Sequence, residues 1–446
     1  MRKGMGGNMR KFRQISGVLV AVGIILLGLL AFFFIDIREQ ERVGRSMEET
    51  VNSGRPVRLV YYTWDDEESY MRPMTDSFNA INPNIQVELH VLDSTDFDNI
   101  IMDMLQSGEQ VDIIGVRGFS QMTRYQVAGM LEDITADILE SDIDITVYGN
   151  MYNNIMIDGK YYGMPTRSTC WVLVYNKDIF DKQGVPYPGQ ITWEEYGELA
   201  KRLKTVNDAG ETVWGGYIPS WALNFAGIQN SNYLYDDDQT YQRESLALLN
   251  QFMNIDKSHM GMLEIEENED KDITYLELFE EGKVGIMPMG EWFVGMIMAD
   301  EHKGISDVNW DLAPMPIFPD MNPGTTWGQY QFTGMTSLCK EKDAAFEFLK
   351  YVGGEEGARI YAEYGMLSAY SSAEIRKIYQ DAVGDKNVGV FFDAFRIQEI
   401  PVFDHYEEIN HVFTDLGKAY LKGERTLDET MEEFERERTK VMEDSP

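Results

Sequence analysis

Four tryptophans of this chain stand beside carboxylate, amide or hydroxyl side chains. The four groups are Trp64 with Asp65 and Glu67, Trp221 with Asn224, Trp292 with Glu291, and Trp327 with Gln329 and Tyr330. A flat indole packs well against the apolar face of a sugar ring, while planar carboxylates and amides satisfy hydroxyls that would otherwise be buried without a partner. The pattern therefore indicates a carbohydrate site. For each tryptophan, packing in the core is the competing interpretation, and we assign Trp193 and Trp214 to it.

Two arginines add donors to this set. Arg117 follows the apolar run 111–116, and Arg167 follows Pro165 in the segment GMPTR. Side chains at strand ends in open α/β sheets line the ligand crevice. Each guanidinium could pair with two hydroxyls or a carboxylate of a ligand, or instead form an ion pair with one of the chain's own acids. Because a cationic ligand would avoid them, these arginines favour a sugar over a polyamine.

The sequence contains few features that indicate an enzyme. The chain has 75 aspartates and glutamates, so pairs of carboxylates arise by chance and do not indicate a glycosidase. Neither a nucleophile elbow, nor a P-loop, nor a histidine-based metal motif is present, and His302 and His405 stand alone. We expect a binding protein without metal or cofactor. Cys170 and Cys339 are either two small buried apolar residues or a single long-range disulfide.

The formal net charge of −36 excludes most nucleic-acid roles, because the chain would repel phosphates. A solvated acidic surface explains this charge most simply. An acidic pocket for a polyamine is the alternative.

The N-terminus predicts a membrane anchor. The uncharged run Ile15–Ile35 has the length of one bilayer-spanning helix. Five basic residues precede it: Arg2, Lys3, Arg10, Lys11 and Arg13. The positive flank stays in the cytoplasm, so 1–14 are a cytoplasmic stub, 36–56 an external stalk, and the binding part lies outside the cell. A cleaved signal peptide would need a small-residue site after the run, and a lipoprotein would need a cysteine there, whereas the first cysteine is Cys170.

Strand and helix patterns alternate along the exported part, which predicts an α/β fold with mostly parallel sheets. Predicted strands are 58–63, 85–91, 111–116, 171–175 and 284–287. Predicted helices are 68–80, 97–106, 193–203 with Thr192 as its N-cap, 242–253, 272–281, 343–352 and 427–442.

Four segments in order resemble family 1 extracellular solute-binding proteins of bacterial ABC importers, the maltose-binding-protein-like sugar receptors. The first begins at Asp158 with DGKYYGMP and continues through an apolar strand into YNK and TWEE. Its matching residues are Asp158, Gly159, Lys160, Tyr162, Gly163, Pro165, Tyr175, Asn176, Lys177, Phe180, Thr192, Trp193 and Glu194. The other segments are Phe279–Gly295, Asp311–Pro319 and Ala344–Ala369. The resemblance covers about 57–440, and only the family's lipobox cysteine is missing.

The resemblance implies a two-lobed periplasmic-binding-protein-like (type II) α/β fold with a hinge and a central cleft, preceded here by the transmembrane helix. One lobe would comprise 57–164 plus 332–367, and the other 165–331 plus 368–446. Closure around a carbohydrate would present a shape that permease subunits recognise. The resemblance also implies ligand contact for five residues: Trp64, Asp65, Glu67, Trp292 and Tyr406. A polyamine or other small solute, and a ligand-binding subunit of a sensor complex, remain the alternatives.

Overall fold

The computed structural model describes residues 56–149, 156–401, 403 and 405–443. The predicted stub, the anchor and all but the last residue of the stalk lie outside these ranges. Within them, no helix combines the length and the apolar character that crossing a bilayer requires. Residues 56–58 group with 82–86 in a small compact unit, and 59–81 together with everything from 87 onward form a large one. All residues discussed below for ligand binding belong to the large unit.

Twelve strands are assigned in the described chain: β1 Val57–Trp64, β2 Ile85–Leu92, β3 Ile113–Val116, β4 Met164–Ser168, β5 Trp171–Asn176, β6 Thr205–Val206, β7 Thr212–Gly216, β8 Val284–Gly290, β9 Trp310–Ala313, β10 Thr325–Gly328, β11 Tyr330–Met335 and β12 Phe395–Gln398. They form a five-stranded sheet in the order β2-β1-β3-β11-β4, another in the order β6-β7-β8-β5-β9, and the pair β10-β12.

The described helices are α1 Glu68–Ile81, α2 Phe97–Ser107, α3 Phe119–Val127, α4 Thr135–Glu140, α5 Lys177–Gln183, α6 Trp193–Leu203, α7 Phe225–Gln229, α8 Thr240–Asn250, α9 Met262–Glu269, α10 Tyr275–Glu280, α11 Trp292–Lys303, α12 Lys342–Gly353, α13 Glu355–Glu363, α14 Ala373–Val383, α15 Gly389–Phe392, α16 Tyr406–Leu421 and α17 Leu427–Glu443. Short 3₁₀ turns cover Asp65–Glu67 and Ile145–Tyr148, and a π-helical turn covers Gln251–Ile255.

Local chemistry explains several of these boundaries. Thr192 accepts a hydrogen bond from the backbone N–H of Glu195, whose side chain accepts one from the backbone of Thr192, so α6 begins with the capping box that the sequence suggested. The predicted 272–281 helix begins later, because Thr274 and Glu277 form the same box and α10 starts at Tyr275.

The prediction of mostly parallel sheets is wrong. β1 and β3 are parallel, but β11 runs antiparallel to both β3 and β4. Likewise, β7 and β8 are parallel, whereas β5 runs antiparallel to β8 and β9. The reason is that β5 comes directly from β4 of the first sheet, and β11 comes directly from β10 of the β10-β12 pair. Neither strand is therefore preceded by the crossover helix that places a strand parallel to its neighbour.

Three segments of chain connect the first sheet with the rest of the fold, which comprises the second sheet and the β10-β12 pair. β4 leads through Thr169 into β5, and β10 leads through Gln329 into β11. These two connections are hydrogen-bonded, since the N–H of Thr169 donates to the carbonyl of Gln329 over 2.8 Å and the N–H of Gln329 donates to Oγ1 of Thr169 over 2.8 Å. The third connection passes Leu367, whose carbonyl accepts from the N–H of Ser168. A Cβ at Gly328 would lie 2.1 Å from the carbonyl oxygen of Thr169, so only glycine allows this approach.

The hydrophobic core is continuous through the second sheet. The five-residue run from Trp171 to Tyr175 is buried, as are Trp193 and Trp310. Trp193 packs against Phe225 with ring centroids 4.1 Å apart, which confirms its assignment to packing. Cys170 and Cys339 are buried and unpaired, so the disulfide interpretation is wrong.

Candidate ligand-binding site at the junction of the two sheets

A buried arginine holds the two sheets together at their first connection. Arg167 lies within β4, and its Nη2 donates to Oε1 of Glu291 at the end of β8 over 2.5 Å. Its Nη1 donates to the hydroxyl of Tyr70 over 2.9 Å and to Oε1 of Gln331 over 3.1 Å, with Oε1 of Glu67 at 3.7 Å. Four long-range partners therefore converge on one guanidinium.

Burial and the neighbouring charges shift the pKa values of this network in opposite directions. Burial lowers the pKa of Arg167, but Tyr70, Glu291 and Glu67 outweigh it and raise that pKa above its usual value. Burial raises the pKa of both glutamates, and Arg167 offsets part of that increase. Arg167 therefore remains cationic, and one positive charge is shared between two buried carboxyl groups.

Several buried polar atoms near this junction have no hydrogen-bond partner among the described residues. They are Oε2 of Glu291, Nε of Arg167, Nε of Arg117 and Oε1 of Gln329. Gln329 lies close to the loop after β3, because a Cβ at Gly118 would stand 2.3 Å from its Oε1. An unpaired buried donor or acceptor costs about 1–3 kcal/mol, so this group favours a ligand that brings its own hydroxyls.

The loop after β3 places Arg117 over an aromatic platform. Its guanidinium lies 4.9 Å from the ring centroid of Trp64 and 5.8 Å from that of Phe97, and Nη2 donates to the carbonyl of Ser94. Trp64 is only 5% exposed and meets Phe97 edge-on with ring centroids 5.4 Å apart. The guanidinium of Arg117 thus stacks on the buried ring of Trp64. Of the two predicted residues, Arg117 offers the polar surface and Trp64 supports it.

Two exposed acids, Asp65 and Asp66, follow β1. Asp65 is exposed and accepts from the N–H of Ser94. Asp66, which the sequence analysis passed over, has a raised pKa because of partial burial and the charge of Asp65, while Arg117 and Arg167 lower it. Its charge also raises the pKa of Tyr275 in α10. The charge of Asp66 therefore acts on Arg117 and Arg167 and also on Tyr275.

Trp292 opens α11 at the end of β8. It is partly buried and meets Trp171 edge-on at 5.5 Å. Burial raises the pKa of Tyr275 in α10, and the neighbouring Trp292 lowers it in part. A Cβ at Gly290 would lie 1.9 Å from the Trp292 ring, so the Gly-Glu-Trp turn requires glycine there. Nε1 of Trp171 donates to Glu399, and burial raises the pKa of Glu399 to about 8.

Trp221 is the most exposed of the predicted aromatic residues. It is 44% exposed and meets Tyr275 edge-on at 5.6 Å. Together with Tyr217, Glu269 and Asp272 it lines a cavity of about 320 Å³. Trp292, Tyr275 and Trp221 thus form a chain of neighbouring aromatic rings.

The remaining predicted residues take buried positions. Trp327 is 2% exposed and lies against Trp171 with ring centroids 5.5 Å apart. Tyr406 is 4% exposed at the start of α16, and Glu67 is buried beneath Arg167. For these three the structure gives packing or ionic contacts, and ligand contact stays a prediction.

Asp66, Trp171, Tyr275 and Glu399 were missed by sequence reasoning. Asp66 could have been included, because it lies between two acids that were chosen. Trp171 begins a strand and Tyr275 begins a helix, where an aromatic residue usually indicates packing. No local sequence pattern marks Glu399. Among the described residues, no group of histidine, cysteine and acidic side chains could hold a metal ion.

Comparison with known proteins gives one family. Residues 63–359 match the family described as bacterial extracellular solute-binding protein. A melibiose/raffinose/stachyose-binding protein of Bacillus subtilis is 23% identical over 199 residues, which are 44% of this chain and 42% of that one.

Two solved structures share the fold. A sugar transporter of Rhizobium etli in an open conformation is 28% identical with a TM-score of 0.76, over 86% of this chain and 99% of that one. An ABC substrate-binding protein of Listeria monocytogenes in complex with cycloalternan is 22% identical with a TM-score of 0.76, over 87% of this chain and 99% of that one. The two-lobed α/β architecture of periplasmic-binding-protein type is therefore established for this chain.

Proposed function

The chain belongs to the family of bacterial extracellular solute-binding proteins, and from that premise we propose that it captures an oligosaccharide between its lobes. It is the substrate-binding component of a carbohydrate ABC importer, in keeping with the sugar-binding proteins among its relatives. The size of the sugar, the residues that contact it and the lobe boundaries given above are our proposals.

The observation that carries the site is the set of unsatisfied buried polar atoms at the junction. Donors of Arg117 and Arg167 and acceptors of Glu291 and Gln329 face no partner among the described residues. Sugar hydroxyls both donate and accept, so one ring could satisfy groups of both kinds. Asp66 supplies a further acceptor between the two arginines.

The aromatic chain supports a ligand of more than one ring. Trp292 is close enough to Tyr275 to lower the pKa that burial raises, and the ring of Trp221 lies 5.6 Å from that of Tyr275, so apolar surface extends outward from the buried junction. We assign the inner sugar to Trp292 and the polar junction, and an outer sugar to Trp221. The inner ring would make the hydrogen bonds that fix orientation, and the outer ring would add stacking.

We expect the two lobes to close around the ligand by movement about the connecting segments. A ligand that touches both lobes stabilises the closed arrangement only by the difference between its affinities for the closed and open forms. The lobes would move about the three joining segments, and permease subunits would recognise the closed shape.

The test is a thermal-shift and calorimetric panel of mono-, di- and trisaccharides, polyamines and amino acids. A ligand at 100 times its dissociation constant should stabilise the protein by about 2.7 kcal/mol. We expect the strongest binding for a di- or trisaccharide, loss of it in Trp292→Ala, and a smaller loss in Trp221→Ala that disappears for a monosaccharide.

Trp214→Ala is the matched control. Trp214 is also partly buried, but its Nε1 donates to Glu264 and Lys204 covers its ring, away from the junction. If Trp214→Ala reduces sugar affinity as much as Trp292→Ala, the proposed placement is wrong. A polyamine in place of a sugar as the bound compound would overturn the ligand class.

We also propose that residues 15–35 anchor the protein in the cell membrane as a single-pass helix with the binding domain outside. The support is the length and hydrophobicity of that run and its basic flank. Fractionation of cells that produce the full chain should place it in the membrane, still carrying its N-terminus. Release of a shortened soluble form would contradict the anchor and favour a cleaved signal peptide.

A further inference from the structure

A second cavity, of about 160 Å³, lies beside two of the connecting segments described above, those that contain Leu367 and Gln329. Its walls include Tyr330 at the start of β11 and Ser368 in the third connection. Arg376 and Tyr379 on α14 and Arg396 in β12 also line it. None of these five residues belongs to the aromatic chain or to the ion-pair network of the sugar site.

The charge of this lining is opposite to that of the whole molecule. The sequence contains 75 acidic and 39 basic residues. Yet among the described residues that line the cavity there are two arginines and neither an aspartate nor a glutamate. An acidic protein repels anions in general, so an anion would concentrate only at a local site of positive charge such as this one.

Both arginines keep donors available for a ligand. Arg376 approaches Oγ of Ser371 at 3.4 Å through Nε, and its guanidinium lies 4.9 Å from the ring centroid of Phe392. Arg396 donates to Oγ of Ser168 and to the carbonyl of Phe391. Within the described part of the chain neither guanidinium makes an ion pair with a carboxylate within 4.0 Å, although the charge of Arg396 acts at longer range on the buried carboxyl of Glu291.

Tyr379 provides an independent indication of a ligand. Its side chain is 1% exposed, and its hydroxyl has no hydrogen-bond partner among the described residues. Phe391 and Phe392 meet its ring edge-on at 6.0 and 5.8 Å and fix its direction. Burial, and then the charge of Glu291, raise the pKa of Tyr379, so the hydroxyl stays protonated and can donate.

We propose that this cavity binds a small oxyanion of the phosphate or sulfate type. Planar guanidiniums match two oxygens of such an anion, and the hydroxyl of Tyr379 supplies a donor to another. A volume of about 160 Å³ is roughly five times the 30 Å³ that one water occupies in the liquid, enough for a tetrahedral anion. The proposed anion contacts share no residue with the proposed sugar contacts, and the proposal does not depend on the class of sugar.

Titration calorimetry of the full chain with inorganic phosphate, without sugar and at constant ionic strength set by chloride, tests the proposal. We expect saturable binding of phosphate or sulfate in the wild type and about tenfold weaker binding in Arg376→Gln, since a hydrogen bond to a charged group is lost. Tyr379→Phe removes only the hydroxyl and keeps the ring between its phenylalanine neighbours, so it should weaken binding severalfold without affecting the fold.

Arg72→Gln is the matched control, because Arg72 is an arginine of α1 far along the chain that pairs with Glu68. It should bind phosphate as the wild type does. Absence of saturable binding up to about 10 mM phosphate, roughly ten times a Kd of 1 mM, would overturn the proposal. So would equal affinities of wild type and Arg376→Gln, or tighter binding of the dicarboxylate succinate than of phosphate. Because sugar is absent, none of these outcomes bears on carbohydrate binding.

Discussion

Arg117 and Arg167 occur in similar sequence contexts but have different surroundings in the structure. Arg117 follows β3, is partly buried, and rests on the rings of Trp64 and Phe97. Arg167 lies inside β4, is 4% exposed, and is bound by Glu291, Tyr70 and a glutamine from distant segments. The sequence analysis had placed both at strand ends, each with a choice between ligand and ion pair.

This difference suggests that the two arginines have different roles in the proposed site, one in ligand binding and the other in stability. An arginine that stacks on an aromatic surface can exchange solvent for a ligand without breaking an ion pair. An arginine that compensates two buried carboxyl groups cannot leave them without a large penalty. We therefore expect Arg167 to act mainly on stability and on the fixed geometry of the junction, and Arg117 to act mainly on affinity.

Arg167→Met should have the largest effect on stability. Removing the cation leaves Glu67 and Glu291 buried without compensation, which should cost about 3–5 kcal/mol of unfolding free energy. Denaturant unfolding followed by circular dichroism measures it. The double variant Arg167→Met with Glu291→Leu should recover part of the loss, and Arg72→Met on the surface should change stability by less than about 0.5 kcal/mol. A loss below about 1 kcal/mol for Arg167→Met would remove the distinction between the two arginines.

Arg117→Ala should change affinity more than stability. Loss of a charged donor at the ligand should cost about 1.5–3 kcal/mol of binding, or roughly 10–150-fold in Kd. Loss of stacking on Trp64 should cost only about 0.5–1 kcal/mol of stability. Calorimetry with the sugar found in the panel, beside denaturant unfolding, separates the two effects. Arg124→Ala, an exposed arginine of α3, serves as the control.

Glu399→Gln tests the partly buried acid beside Trp171 through the pH dependence of stability. The pKa of Glu399 in the folded protein is raised to about 8, so the folded state holds its proton while the unfolded state loses it above about 4.3. The wild type should therefore lose stability through this group as pH rises from about 4.5 to 8, by at most about 1.4 kcal/mol per pH unit, and no further above 8.

Glutamine preserves the acceptor for Nε1 of Trp171 and does not ionise. The stability of Glu399→Gln relative to the wild type should rise across that window and become constant above about pH 8. Thermal unfolding at pH 5, 6, 7, 8 and 9 measures it. A difference that is independent of pH would show that Glu399 is ionised in the folded protein, contrary to its raised pKa.

Local elements were predictable because they depend on neighbouring residues. The helix predicted at 68–80 is found at Glu68–Ile81, and the capped helix at Trp193–Leu203 is found with those bounds. Hydrophobic periodicity and capping act over a few residues, so the printed sequence contains the information they need. The four segments that resemble the family, in their order along the chain, were likewise enough to indicate the family.

Only the tertiary structure determined which side chains meet. Trp327 and Trp221 both stood beside polar residues in the sequence, but one is 2% exposed and the other 44%. The partners of Arg167 come from positions up to 164 residues away. Burial and ion pairing depend on which distant segments pack together, and no local pattern encodes that choice. The sequence therefore determined the fold and the kinds of side chain available for a sugar, and the packing of the two sheets decided which of them can reach it.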